Sequence, residues 1–204
     1  MGVIVGYESS VYLIDTTQNT AAFTTEATTA NADRTVYRIT NPAKRWWDPS
    51  QAVTASVAPT AGIAHAGGAI PYSPGLEAGT EVTVTGKYFT AVNKLGGSKS
   101  WSMDLQKDML DVTSWDTVPA GFREYEPLLK GGTVAVERWW FDEFFLGCIT
   151  AGTLLGLELR FKNGVAYYVY GHLTADSVKN ATDSALSESL NIQITGIPQY
   201  IDAA

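Results

Sequence analysis

"LLGLELRFKNGVAYYVYGH", residues 154–172, decides the fold. Leu155, Leu157, Leu159 and Phe161 alternate with Gly156, Glu158, Arg160 and Lys162. That period of two belongs to a half-buried strand. Asn163-Gly164 then supplies the dipeptide that favours a tight hairpin turn between Leu154–Lys162 and Val165–His172. The second half, VAYYVYGH, is apolar or aromatic at both parities, so one face meets a core and the other meets something else.

The same period extends outward. "EVTVTGKY", residues 81–88, alternates Val82, Val84 and Tyr88 against Glu81, Thr83, Thr85 and Lys87. Leu190, Ile192 and Ile194 alternate against Asn191, Gln193 and Thr195. One helix is predicted near 142–151, where Phe141, Phe144, Phe145 and Cys148 fall at i, i+3, i+4 and i+7. Asp142 and Glu143 suit its positive end, and Gly152 closes it. Ala175–Ser187 reads as weak helix or polar loop. Thr16–Ala32, TTQNTAAFTTEATTANA, has no apolar period and reads as a mobile loop or arm. Gly62–Gly79 is turn-rich, and Leu95–Ser100 is a Gly-rich link. The expected fold class is mainly β: a β-sandwich or barrel-like domain with one flanking α-helix, plus a β-rich N-terminal elaboration. The expected division is 1–95, which could belong to the same domain, and 96–204.

Composition excludes several classes. The chain has 204 residues, long enough to bury a real core, and 45% of them are hydrophobic. No apolar run approaches the ~18 residues a membrane span needs. The start, MGVIVGYESS, lacks the basic region of a signal peptide. Cys148 is the single cysteine, which points to synthesis in a reducing compartment. Net charge is −7. Residues 1–100 carry seven basic and seven acidic residues, so the whole excess lies in 101–204. Such a chain repels phosphate backbones, which argues against sequence-specific nucleic-acid binding.

No catalytic, cofactor or metal site is expected. His65 and His172 are far apart in sequence and Cys148 has no partner, which leaves no zinc-ligand spacing. A nucleophile elbow is absent. Asp111, Asp116, Glu124 and Glu126 lie near Trp115 and Tyr125, a composition seen in glycosidase clefts. The other reading is structural: Asp111 opens an Asx-type turn, Pro119-Ala120-Gly121 makes a second, and Glu124 and Glu126 flank Tyr125 on an exposed strand. "KRWWDPS", residues 44–50, and Trp139-Trp140 pose a choice between sugar stacking, a β core and an interface. On a strand, adjacent tryptophans face opposite sides.

"LDVTSWDTVPAGFREYEPLLKGGTVAVERWW", residues 110–140, resembles the signature region of siphophage major tail (tail tube) proteins. The matching runs are Asp111-Val112-Thr113-Ser114-Trp115, Gly121-Phe122-Arg123-Glu124-Tyr125 and Pro127-Leu128-Leu129-Lys130-Gly131-Gly132. Leu128 stands where that family often has Gly. Residues 35–54, TVYRITNPAKRWWDPSQAVT, also look like the amino-terminal part of such virion proteins. The resemblance covers residues 99–197 and implies a β domain whose six copies form a ring. Rings would stack into a tube that conducts DNA through an acidic lumen. It further implies a virion location after synthesis in the host cytoplasm, no membrane, and terminator, tape measure and tail tip proteins as partners. Contact candidates between subunits or rings are Asp111, Thr113, Trp115, Arg123, Glu124, Tyr125, Pro127, Lys130, Tyr168 and Tyr170. Thr16–Ala32 and the final IPQYIDAA are candidate arms toward the next ring. The alternatives are a carbohydrate-binding or adhesion β-sandwich using Trp46/Trp47 or Trp139/Trp140, and a tail terminator or neck ring protein.

Overall fold

A computed structural model describes residues 10–111, 125–139, 143–161, 164–181 and 184–202. The fold is mainly β, with two sheets and one helix. The strands are β1 (Ser10–Asp15), β2 (Thr20–Ala30), β3 (Val36–Ile39), β4 (Thr54–Ala55), β5 (Ala69–Pro71), β6 (Thr83–Phe89) and β7 (Val92–Lys94). They continue as β8 (Ser98–Asp111), β9 (Tyr125–Trp139), β10 (Leu154–Arg160), β11 (Ala166–Ala181) and β12 (Ser184–Ile201), with α1 (Phe144–Ala151) after β9.

The larger sheet has the order β7-β1-β10-β11-β12-β9-β8. Its two outermost strands, β7 and β8, are joined by Leu95-Gly96-Gly97 alone. Three residues reach only ~10 Å, so the sheet must roll until its edges approach. Backbone bonds fix both ends of this link: Leu95 N–H donates to Val11 of β1 at 2.8 Å, and Trp139 N–H of β9 donates to Gly97 at 3.0 Å. Strands on both sides of residue 95 therefore build one rolled sheet. Inside it lies the core of Val11, Leu13, Val134, Val136, Leu155, Leu157, Leu159, Val169, Leu173, Leu190 and Ile192. The helix α1 seals this core with Phe145 and Cys148, while Phe144 is half-buried and Phe141 lies outside the described residues. Gly152 ends α1 in the left-handed region, at φ 63°.

The smaller sheet, β4-β6-β2-β3-β5, is an excursion between β1 and β7. It has its own core of Phe23, Tyr37, Ile39, Trp47, Ile70, Tyr72, Val82 and Val84. The expectation of a mobile loop at 16–32 is corrected here, since Thr20–Ala30 is a strand paired with β6 and β3. Thr-rich segments read as loops when apolar period is the signal, yet β-branched Thr suits a pleated surface. Phe23 supplies the one apolar anchor of β2, stacked 5.7 Å from Trp47. Within Ala175–Ser187, expected as weak helix or loop, the described residues 175–181 and 184–187 are instead strand, paired from Ala175↔Asn191 to Ala181↔Ser184. The loop-like reading of the final segment fails likewise, because Tyr200 and Ile201 pair with Tyr167 and Ala166.

A third cluster joins the sheets. Ile14, Trp46, Ala66, Phe89, Ala166, Tyr168, Tyr170 and Ile201 pack on the outer face of β11. Trp46 is 2% exposed and Trp47 0%. The two adjacent rings point opposite ways, Trp46 onto the rolled sheet and Trp47 into the smaller sheet's core. A Cβ at Gly156 would lie 2.8 Å from the Trp46 ring and 2.9 Å from Ile14 Cβ, so the strand must be bare there.

Candidate assembly surface

The surface with the most unspent contact potential is the ribbon β8–β9. Its pairing runs from Ser98↔Arg138 to Asp111↔Tyr125, with register shifts between Ser98 and Ser100 and between Lys107 and Met109. β12 supports β9 only over Thr133–Trp139. From Gly132 to Tyr125, β9 pairs with β8 alone, so six rungs of two-stranded ribbon leave the sheet, roughly 20 Å of chain. At the point of departure Gln193 Nε2 donates to the Gly132 carbonyl at 2.8 Å. A Cβ at Gly132 would meet Leu105 at 2.7 Å and the Asp104 carbonyl at 2.8 Å. Glycine is what lets β8 cross so near.

The reason for exposure is in the pattern. Trp101, Met103 and Leu105 share the inward parity of β8, opposite Val136, Val134 and Gly132. Trp101 and Met103 pack on the core. The stripe then runs past the end of the core: Leu105 is 55% exposed and Met109 53%, while Leu110, on the opposite face, is 48% exposed. Lys107 and Lys130 are directly opposed across the ribbon, a like-charge pair that destabilises it unless an acid approaches. A groove of about 460 Å³ opens beside them, walled by Leu105, Lys107, Lys130, Ile194 and Pro198. The outer edge of β8 has no strand partner among the described residues.

The base of the ribbon is firmly held. Arg138 of β9 and Glu188 of β12 form a buried ion pair at directly opposed positions. The Arg138 guanidinium also lies 4.5 Å from the Phe145 ring centre. Burial pushes the Glu188 carboxyl up, Arg138 opposes that, and Asp176 adds to it. These groups lock β9 to β12; they do not face a cleft together with a nucleophile.

The expected contact residues distribute as follows. Asp111 ends β8, and Lys130 is exposed on β9. Tyr125 and Pro127 belong to β9 by backbone register, opposite Asp111 and Met109. Thr113, Trp115, Arg123 and Glu124 lie outside the described residues. Tyr168 and Tyr170 require a correction, because both are buried within the protomer. Tyr168 donates to Glu158 at 3.1 Å and Tyr170 to the Trp47 carbonyl at 2.9 Å. The second face of the aromatic strand meets the chain's own inserted sheet. The Trp46/Trp47 sugar-stacking surface is corrected for the same reason, since neither ring reaches solvent. Trp139 is partly exposed, with Lys99 Nζ 3.3 Å from its ring centre. Sequence reading missed Leu105 and Met109, although the alternation in "WSMDL", residues 101–105, was there to be extended.

Fold and surface together define a mainly β protein that presents a two-stranded ribbon outward. Among the described residues no group of three His, Cys, Asp or Glu side chains could hold a metal ion, and no helix is long and apolar enough to cross a membrane. No protein-family profile matches the chain, and no curated protein matches it. Among solved structures, it is similar to a chain in the helically refined, C6-symmetric tail of an empty GTA particle. The two are 14% identical with a TM-score of 0.47, over 54% of this chain and 86% of that one. It is also similar to a chain in the virion of a native gene transfer agent (GTA) particle, at 14% identity and a TM-score of 0.47. That match covers 54% of this chain and 88% of the other.

Proposed function

We propose that the chain is a structural subunit of a phage-like tail tube, without catalytic activity, that assembles with copies of itself into stacked hexameric rings. The observation that carries the reading is the β8–β9 ribbon. It coincides with the segment that resembles the tail-tube signature, and it leaves Leu105, Met109 and Leu110 half in water. A two-stranded ribbon is marginal alone and gains stability from cover on its faces. Its open edge also invites strand addition, which ring closure would regulate. The opposed Lys107 and Lys130 favour an acidic covering surface, and this chain's own net charge is −7. Asp111, Thr113, Trp115, Arg123, Glu124, Tyr125, Pro127 and Lys130 remain proposed contacts between subunits or rings. The acidic excess of the second half would keep DNA phosphates from adhering to a lumen. Terminator, tape measure and tail tip proteins are the proposed further partners in the virion.

Negative-stain electron microscopy of the purified protein across a wide concentration range tests this. Hollow tubes or stacked rings are the expected result. Single rings that never stack would replace it with a terminator or neck role, and compact monomers at every concentration would count against assembly altogether.

A further inference from the structure

The cleft between the inserted sheet and the last strand contains two arginines, Arg38 and Arg45, that form no ion pair among the described residues, although Arg45 hydrogen-bonds the Tyr168 hydroxyl. It has a volume of about 490 Å³, and its lining includes Thr29, Arg38, Thr40, Arg45, Tyr200 and Asp202. Arg38 Nη2 donates to the Tyr200 carbonyl at 3.3 Å. The Nε atoms of both Arg38 and Arg45 are buried and make no hydrogen bond. Burial and the nearby Arg45 cation lower the Arg38 guanidinium from its ordinary value, against weaker support from Tyr168 and Asp202.

The neighbouring acids are committed elsewhere. Glu158 accepts from Arg160 at 2.8 Å and from the Tyr168 hydroxyl at 3.1 Å. Glu26 pairs with Lys44. Asp202 is exposed, so its charge is screened. A chain with an excess of acids has thus left two guanidiniums side by side in a half-buried cleft. Unsatisfied donors on a partly desolvated cation are costly. Guanidinium forks match the planar or tetrahedral oxygens of a small oxyanion. The Thr29 and Thr40 hydroxyls, hydrogen-bonded to each other at 3.0 Å, leave one O–H donor in the same lining.

We propose that this cleft binds an oxyanion, a phosphate or carboxylate group, held by Arg38 and Arg45 with the O–H donor that the Thr29–Thr40 pair leaves. Such a group would tie the inserted sheet to the last strand of the rolled sheet. The site is separate from the β8–β9 ribbon and stands or falls without it.

The test is a titration of the full chain with inorganic phosphate at constant ionic strength, with chloride as the replaced anion. The readout is the side-chain Nε–Hε signals of ¹⁵N-labelled arginine. Saturable shifts confined to Arg38 and Arg45 are expected. Arg38→Gln should weaken the Arg45 response by at least ~tenfold, the loss expected for a hydrogen bond to a charged group. Asp202→Asn removes an exposed repelling charge without touching the core, and should tighten phosphate by about two- to fivefold. That variant carries the test if Arg38→Gln fails to fold. If, in chloride alone, the two signals move with protein concentration and phosphate reverses the movement, the oxyanion is a carboxylate of a second copy. If phosphate shifts them equally at all protein concentrations, it is a free ion. Shifts that never saturate, that chloride reproduces, or that Asp202→Asn leaves unaltered would overturn the site.

Discussion

Replacing Leu105, Met109 and Leu110 together by Gln should abolish self-association while leaving the protomer folded. Each side chain already exposes about half its surface, 55%, 53% and 48%. Full burial of a Leu or Met is worth ~1.5–3 kcal/mol, so the unspent half is ~0.8–1.5 kcal/mol per residue. Three such residues covered by a neighbour would contribute about 2.5–4.5 kcal/mol per contact. At 1.4 kcal/mol per factor of ten, that is roughly 50- to 1,500-fold in the association constant. Gln keeps a similar length and removes most of that gain.

The fold should tolerate the change, because Leu105 lies over Gly132 at the rim and the other two lie on the ribbon beyond the core. Sedimentation velocity gives the association constant, and circular dichroism with a thermal melt reports the fold. A folded triple variant that assembles at wild-type concentrations would refute the reasoning and remove the ribbon from the interface. If the triple variant loses its melt, Met109→Gln alone, on the part of the ribbon supported by β9 only, should still weaken association by about four- to twelvefold by the same arithmetic.

Three further outcomes follow from the interior. Trp46→Ala should cost about 3–5 kcal/mol in denaturant unfolding, since it empties the cluster that joins the sheets and strips Tyr168 and Tyr170 of ring contacts at 5.3 Å; a loss below about 1 kcal/mol would show that the sheets hold without it. Tyr170→Phe orphans the Trp47 carbonyl and should cost about 1–3 kcal/mol at neutral pH. Burial raises the Tyr170 phenol above its ordinary value of 10.0, so its share of stability is intact below pH 10 and is lost as pH rises past it. The variant should accordingly lose less stability than wild type above pH 10, and a parallel alkaline limb would contradict that. Cys148 is buried, and its thiol is pushed up to about 11. A thiol-disulfide reagent at pH 8 should label it only after denaturant is added; rapid labelling of the native protein would place it at the surface.

What the sequence made legible, and what it hid, divides along physical lines. The hairpin at 154–172 was readable because Leu155, Leu157 and Leu159 recur at every second residue and an Asn-Gly dipeptide follows in the sequence, although Gly156 and Glu158 between them are buried as well. The helix was readable because Phe145 and Cys148 meet the core at helical spacing. Pairing between distant segments leaves no such local mark. Thr20–Ala30 carries one buried apolar side chain, Phe23, and becomes a strand because β6 and β3 supply its partners. Ala175–Ala181 extends as a strand because Ser184–Asn191 lies alongside it, not because its side chains alternate. The most consequential error concerns Tyr168 and Tyr170. A strand apolar on both faces promises a second partner, but the promise does not say whether that partner is another subunit or the same chain. Trp46 settles it: one residue from the inserted sheet reaches across and occupies the face. The demand for an outside surface then passes to the residues that nothing in the chain covers. Those are Leu105 and Met109, which continue the stripe of Trp101 and Met103 past the point where Gly132 lets the ribbon leave the sheet, and Leu110 on the ribbon's opposite face.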